Sequence, residues 1–259
     1  MKSLNRREWL QSSALAGVGL LALQLPAPAA RKADEMILIP AGPCLLGTSP
    51  EQVERLAREY SHHPSWLAGE TPQRKVELPA FRIDKYPVTN RQYLSYVEAT
   101  MAKAPLDWVN GRPTEAQMDL PVRYVDRQAG RDFAKWAGKR LPRAAEWEKA
   151  ARGTDGRLYP WGNKFDARAC CHDHGSLTPP NGPSPVTAHP RGASPYGVMD
   201  LIGNIAEYCD DEPGPGSAFI KGGCWLTSSP LNLRCAAVGM SGFANNSLDY
   251  IGFRCAQDA

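Results

Sequence analysis

The sequence predicts a single irregular α+β domain that is low in regular secondary structure. Glycine and proline occur 23 times each among 259 residues. This predicts many loops, although their share stays below the roughly 25–30% typical of low-complexity chains. Apolar residues make up 42% and charged residues 22% of the chain, as in globular proteins with a hydrophobic core. We find no internal repeat and no dividing linker, so we expect one domain.

Short strands are predicted in both halves of the chain. The apolar run 36–40 is typical of a buried strand that a proline ends. Residues 75–84 alternate loosely between apolar and polar side chains, and Pro79 is expected to break this strand. Two further strands are predicted at 218–226 and 250–255.

Four helices are predicted from capping residues and apolar spacing. Ser49, followed by a proline, is expected to start the first helix. Thr89 and Gln92 have the spacing of a capping box for the second. Asp126 is the predicted N-cap of the third helix, and the fourth is expected over residues 144–151.

The charge balance and hydropathy exclude two classes of protein. The formal net charge is +3, too small to make nucleic-acid binding the default interpretation. Beyond the first 30 residues there is no apolar stretch of about 18 residues, the length that spans a bilayer. We therefore expect neither a nucleic-acid partner nor an integral membrane protein.

Residues 1–29 have the order of an export signal. A pair of arginines at 6–7 precedes an apolar stretch at 14–25, and a small-x-small motif follows. Paired arginines followed by Trp-Leu resemble a twin-arginine signal. The alternative is an N-terminal anchor that is not cleaved. The signal predicts a periplasmic protein whose mature domain covers residues 30–259, with no membrane association after cleavage.

The cysteine count is informative in an exported protein. There are seven cysteines, and an oxidising compartment permits disulfides. Because seven is odd, at least one thiol stays free, pairs with another chain or binds a metal.

Several motifs of the chain match one known family in order. They are the segments 83–90, 140–153, 159–163, 196–207, 221–225 and 251–255. Together they resemble the formylglycine-generating enzyme family, also called the sulfatase-modifying factor family, over about residues 36–257. The resemblance implies an irregular α+β fold related to C-type lectins and assigns residues 30–259 to a sulfatase-modifying-factor-like domain.

The residues that carry the family's usual chemistry are missing here. The resemblance implies two cysteines that hold copper(I) shortly after a Gly-Gly motif, because soft thiolates suit that ion. In this chain the first position falls at Thr227 and the second at Pro230 or Asn232. None of these is a thiol, so true formylglycine generation is the activity that the residues favour least. The family's sulfoxide synthases carry iron in an added N-terminal domain that has no counterpart here, so we do not expect that activity either.

Cys224 stands in the Gly-Gly motif where the family usually has serine. It is our candidate catalytic residue, as a redox nucleophile, a partner in a mixed disulfide or a metal ligand. The alternative is an inert buried thiol or one half of a disulfide. By the resemblance, Trp225, Thr227 and Asn232 are expected to line the substrate groove, and copper or iron is a cofactor that we leave open.

The resemblance also implies a structural calcium ion in the segment 200–207. Carried over position by position, its ligands are the carboxylates of Asp200 and Glu207 and the backbone carbonyls of Gly203 and Ile205. Hard oxygens are the ligands that calcium prefers. The alternative is that Asp200 caps a turn and Glu207 forms a salt bridge.

A dense group of metal-ligating residue types occurs at the start of a loop rich in Pro, Gly and Ser. In an extended segment, Cys170, His172 and His174 would share one face and could bind a transition metal. The alternative is a disulfide, since related proteins have a disulfide cysteine in this region. The disulfide candidates are Cys170, Cys171, Cys209, Cys235 and Cys255.

These observations support two hypotheses of different class. The first is an exported oxidoreductase that carries out oxidative maturation of a periplasmic substrate at a site unlike the usual one. Its substrate would be a peptide, a peptide-derived siderophore precursor or a periplasmic protein. The second is a non-catalytic accessory or binding module on the same scaffold.

Overall fold

The computed structural model describes residues 35–175, 181–238 and 246–259. These form a mixed α+β domain of four α-helices and small sheets, joined by long irregular segments, as predicted. The predicted export signal at 1–29 lies outside the described residues. Within the described ranges, no helix combines the length and the apolar character needed to cross a bilayer.

Eight short strands form three small sheets in the described part of the chain. The strands are β1 (Met36–Ile39), β2 (Gly42–Leu46), β3 (Arg74–Leu78), β4 (Phe81–Asp84), β5 (Ala206–Tyr208), β6 (Ile220–Lys221), β7 (Ile251–Gly252) and β8 (Ala256–Asp258). Their orders are β1-β4-β8, β2-β3 and β6-β5-β7. All pairs are antiparallel except β5 with β7.

The described residues contain four helices, and the first three begin directly after the predicted capping residues. They are α1 (Pro50–Glu59), α2 (Asn90–Thr100), α3 (Arg127–Trp136) and α4 (Ala144–Arg152). Ser49 and Thr89 form capping boxes with Gln52 and Gln92, and the Asp126 carboxylate accepts from the Ala129 N–H. At α1, α2 and α3, a local side-chain hydrogen bond satisfies one of the N–H groups that a helix start leaves without a partner.

The predicted strands are confirmed in part. Residues 75–84 are divided by Pro79 into β3 and β4, which pair in different sheets. The strand predicted at 218–226 is wrong beyond β6, because a glycine turn follows Lys221. The strand predicted at 250–255 is limited to β7. Sequence patterns did not indicate β2, β5 or β8.

Two apolar clusters form the core. One contains Tyr93, Phe133 and Phe253 around α2 and α3, and the other contains Ile83 and Trp147 around α4 and β4. The two consecutive cysteines at 170–171 and the segment 224–233 contribute to both clusters. The residues of the predicted site therefore lie where the two clusters adjoin.

Buried ion pairs connect the irregular segments. Glu148 on α4 contacts Arg152 at 2.9 Å and Lys221 of β6 at 3.1 Å. Arg234 donates to both carboxylate oxygens of Glu70. These ion pairs hold in place long segments that form few hydrogen bonds with a neighbouring strand. The paired charges are almost completely buried.

Candidate functional site

A turn of two glycines positions Cys224. Gly222 and Gly223 follow β6 with φ angles of +92° and +65°. A Cβ at Gly222 would come within 2.6 Å of the Leu201 carbonyl oxygen, and one at Gly223 within 2.8 Å of the Leu233 side chain. Only glycine fits both this backbone conformation and this space.

The Cys224 thiol is buried and faces a hydroxyl. Its residue is 7% exposed, and its sulfur lies 3.7 Å from Oγ1 of Thr227. The same hydroxyl oxygen accepts the Cys224 N–H at 3.0 Å. Burial raises the pKa of the Cys224 thiol, and contacts with Leu226 and Thr227 oppose that rise. The thiol is therefore neutral at rest and is ordered by one polar neighbour.

The structure brings two of the three predicted groove residues directly to Cys224. Trp225 is buried, and its indole Nε1 has no hydrogen-bond partner among the described residues. The Thr227 N–H donates to the Cys224 carbonyl and closes the turn. Asn232 lies in a short 3-10 turn with an exposed side chain. Its carbonyl oxygen would lie 3.3 Å from a Cβ at Gly223, so it approaches the turn through its backbone.

Sequence patterns missed the residue that connects the surrounding loops, Asn204. It is fully buried with a φ of +58°. Its N–H donates to the Cys171 carbonyl at 2.7 Å, and its own carbonyl accepts the Trp225 N–H at 3.0 Å. Its side-chain amide pairs with the N–H and carbonyl of Ser184. Asparagine tolerates left-handed backbone better than most residues, and this was the one local signal for its role.

The polar residues near Cys171 are Ser184 and, beyond it, His189. Burial raises the pKa of the Cys171 thiol, and contacts with the hydroxyl and N–H of Ser184 oppose that rise. Nε2 of His189 lies 3.0 Å from the Ser184 hydroxyl oxygen. Burial lowers the pKa of His189, which keeps a neutral imidazole beside the hydroxyl. No spacing in the sequence links Ser184 and His189 to Cys171.

The predicted calcium ligands fit a hard cation only in part. Asp200 is buried, its nearest amide donor is Asn204 at 3.4 Å, and burial raises its pKa to about 7. Such a rise is the usual effect of burial on a carboxyl group. Glu207, by contrast, accepts two hydrogen bonds from Arg254 at 2.7 Å and one from the Trp147 indole at 2.8 Å. The salt-bridge alternative therefore describes Glu207 in this structure.

The predicted transition-metal residues are only partly gathered. The rings of His172 and His174 are 4.3 Å apart, and the buried Nε2 of His172 has no hydrogen-bond partner in the part of the chain that the structure describes. Cys170 instead packs in the second apolar cluster. Within the described ranges, no group of three or more His, Cys, Asp or Glu side chains is arranged to bind a metal ion.

All seven cysteines are buried free thiols in this structure. The predicted disulfides among Cys170, Cys171, Cys209, Cys235 and Cys255 are not formed, and their pairing stays a prediction. Burial raises the pKa of Cys170 and of Cys235 to about 12. The pKa values of Cys209 and Cys255 lie well above the usual value for the same reason.

Comparison with known families and sequences gives a consistent match. A family model described as a sulfatase-modifying factor enzyme 1-like domain matches residues 22–259. A hercynine oxygenase of Mycolicibacterium smegmatis is 30% identical over 83% of this chain, which spans only 54% of that relative. A formylglycine-generating enzyme of Streptomyces coelicolor is 30% identical over 74% of this chain and 82% of its own length.

Solved structures support the fold. The structure of PvdO from Pseudomonas aeruginosa superposes with a TM-score of 0.69 at 24% identity, covering 89% of this chain and 100% of that one. CarF superposes with a TM-score of 0.62 at 16% identity, covering 87% and 98%. At these identities the likeness concerns architecture alone, because one fold can carry many functions.

Proposed function

The chain belongs to the sulfatase-modifying factor family, and from this premise we propose that it is an exported enzyme of oxidative maturation. Relatives at 30% identity are named as an oxygenase and as a formylglycine-generating enzyme, which supports an oxidative activity. The position of Cys224 carries the proposal. It is a buried thiol on the glycine turn, with Thr227 and Trp225 beside it.

The proposed compartment and substrate class are based on the sequence. The signal at 1–29 supports a periplasmic location, where the substrate is a peptide, a peptide-derived siderophore precursor or a protein. Leu226, exposed beside the turn, gives an apolar edge that a peptide side chain can contact. Calcium is proposed as a structural ion near Asp200, with the carbonyls of Gly203 and Ile205.

The proposal is tested by oxygen uptake. Purified protein is incubated with cysteine-containing and siderophore-precursor peptides, separately with copper(I) and with iron(II). We expect peptide-dependent oxygen consumption that Cys224→Ser abolishes. Cys44→Ser, which alters a buried thiol on β2, is the matched control and should retain it. If the folded protein consumes no oxygen with either copper(I) or iron(II), the result would argue against an oxidative enzyme.

The second candidate is a non-catalytic binding module. It is favoured by the lack of thiols at Thr227 and Asn232 and by a relative from Bos taurus that is named an inactive formylglycine-generating enzyme, 26% identical over 86% of this chain and 88% of its own length. This alternative predicts that Cys224→Ser leaves peptide binding unchanged while no oxygen is consumed. Isothermal titration of the same peptides distinguishes the two.

A further inference from the structure

A cavity of about 230 Å³ lies between the β2–β3 sheet, the start of α4 and β6. Its wall includes Arg74 of the sheet and Lys221 of β6. Cys224, Trp225 and Thr227 do not line it, so the cavity is separate from the candidate oxidative site at the glycine turn. Pockets for drug-sized ligands measure about 300–1,000 Å³, and this cavity therefore suits a smaller molecule.

The buried side of the cavity carries two cations for one carboxylate. Lys221 and Glu148 both line the cavity, and the Lys221 side chain is 2% exposed with its Nζ 3.1 Å from Oε2 of Glu148. The other oxygen of this carboxylate accepts from Arg152 at 2.9 Å and from the Gly47 N–H at 2.7 Å. One positive charge is thus left without a balancing partner, and burial makes such a charge costly.

The Lys221 ammonium also has donors to spare. An ammonium group carries three N–H donors. Among the described residues, Glu148 is its one hydrogen-bond partner, and the Trp147 ring lies beneath it at 5.7 Å from the ring centroid. Lys221 can therefore donate to a ligand that brings acceptor atoms into the cavity.

Arg74 supplies a further cation at the exposed side of the cavity. It lies opposite Leu46 in the β2–β3 register, and directly opposite residues share one face of a sheet. Leu46 also lines the cavity, so this face of the sheet is the one turned towards it. Arg74 is exposed and forms no ion pair with another described residue. Its planar guanidinium matches a carboxylate with two parallel hydrogen bonds.

The acidic residues of the wall are largely occupied by partners within the chain. The two oxygens of Glu70 accept from Arg234 at 2.8 and 2.7 Å. One oxygen of Asp211 accepts the Ala144 N–H at 2.7 Å, and its other oxygen has no hydrogen-bond partner among the described residues. Asp211 is therefore the one acid of this wall that opposes an anion, against two cations with unused donors.

We propose that this cavity is a binding site for a small organic carboxylate. Arg74 pairs with the carboxylate, and Lys221 adds positive charge and a donor from the buried side. The apolar part of the ligand packs against Leu46, Phe219 and Val238, which also line the cavity. The inference goes beyond the proposed function, because it assigns a ligand to a separate site and holds whether or not the protein consumes oxygen.

Isothermal titration calorimetry of the full-length protein tests the proposal. The probes are isovalerate and benzoate, each paired with its amide, which has a similar shape without the charge. We expect at least one carboxylate to bind and its amide not to bind detectably. Inorganic phosphate is the second anion, and it should bind more weakly than the carboxylate because it has no apolar part.

Three variants place the ligand in the cavity. Arg74→Gln should weaken carboxylate binding about tenfold or more, because a hydrogen bond between charged groups is lost. Lys75→Gln alters the next residue of β3, also exposed, whose side chain points to the other face of the strand, and this matched control should bind like the wild type. Asp211→Asn keeps an oxygen for the Ala144 N–H but removes the opposing charge, so it should bind the carboxylate more tightly.

Several results would overturn the inference. Failure of both carboxylates to bind does so, as does an amide that binds as tightly as its carboxylate. Tighter binding of phosphate contradicts an organic ligand, and an unchanged affinity in Arg74→Gln places the carboxylate elsewhere. Arg74 and Lys75 are both exposed, so melting temperatures of these variants should match the wild type. Oxygen uptake is measured separately, so failure of this site and failure of the proposed function are distinguishable.

Discussion

Arg254 holds Glu207 by both carboxylate oxygens, each at 2.7 Å, with the two side chains at most 1% exposed. The same guanidinium donates to the carbonyls of Asp84 and Met199 at 3.0 and 2.8 Å. One side chain thus connects the end of β4, the segment before the predicted calcium ligands and β5. Lysine cannot reproduce this, because its ammonium lacks the planar fork of donors.

Arg254→Met is expected to destabilise the domain by about 3–5 kcal/mol, since it leaves the Glu207 charge buried without its partner. Arg254→Lys should also be destabilising. Urea denaturation followed by circular dichroism measures the loss. Arg168→Met, at an exposed arginine, is the control and should change stability by less than about 0.5 kcal/mol. An unchanged midpoint for Arg254→Met would show that the pair contributes nothing.

Glu148→Gln is expected to destabilise the domain in a pH-dependent way. Burial alone would raise the pKa of Glu148, but Lys221 and Arg152 outweigh it and hold the pKa below its usual value. The stability that ionised Glu148 contributes is therefore present above about pH 4.5 and is lost as pH falls through the lowered folded-state pKa. The difference between wild type and variant should be largest near neutral pH and shrink in acid.

Denaturation midpoints at several pH values measure that difference. Glu54→Gln, at an exposed position on α1, is the matched control and should track the wild type at every pH. A difference between Glu148→Gln and wild type that stays constant down to pH 3 would contradict the assigned charge state.

Calcium is expected to raise the melting temperature through Asp200. A ligand present at about 100 times its Kd adds about 2.7 kcal/mol to stability, and Asp200 is the predicted ligand whose carboxylate is not already paired with an arginine. We expect the melting temperature to fall in EGTA and to recover with calcium but not with magnesium. Asp200→Asn should remove the response. If EGTA does not change the melting temperature of the wild-type protein, a structural calcium ion is ruled out.

Asn204→Gly and Asn204→Ala should separate the two roles of Asn204. Glycine removes the side-chain bonds to Ser184 but accepts the positive φ, so we expect a cost of about 1–3 kcal/mol. Alanine should cost about 1–2 kcal/mol more, because it also strains the left-handed backbone. Equal stability of the two variants would show that backbone strain is negligible there.

The helices could be predicted from sequence because their signals are local. Ser49, Thr89 and Asp126 each act within three residues of themselves, so spacing alone finds them. The missed strands β2, β5 and β8 depend on partners far along the chain. The strand predicted at 218–226 ends early for the same reason, because the chain turns at Gly222, which lies against the distant carbonyl oxygen of Leu201.

The site was predictable only where a motif exists. The Gly-Gly motif pointed to Cys224 and its neighbours Trp225 and Thr227, which do lie together. Asn204, Ser184 and His189 belong to the same site only through contacts between segments, and no spacing encodes such contacts. Likewise, the pairing of Glu207 with Arg254 instead of an ion depends on two segments that lie far apart along the chain.

The pairing of β4 has a consequence for the time course of folding. β4 pairs with β1, near the beginning of the described chain, and with β8, at its end. The three-stranded sheet is therefore complete only after both of these distant segments have paired with β4. Contacts between distant segments slow folding, because the loop must close before the contact stabilises anything. We infer a domain that forms its four capped helices early and assembles its sheets late.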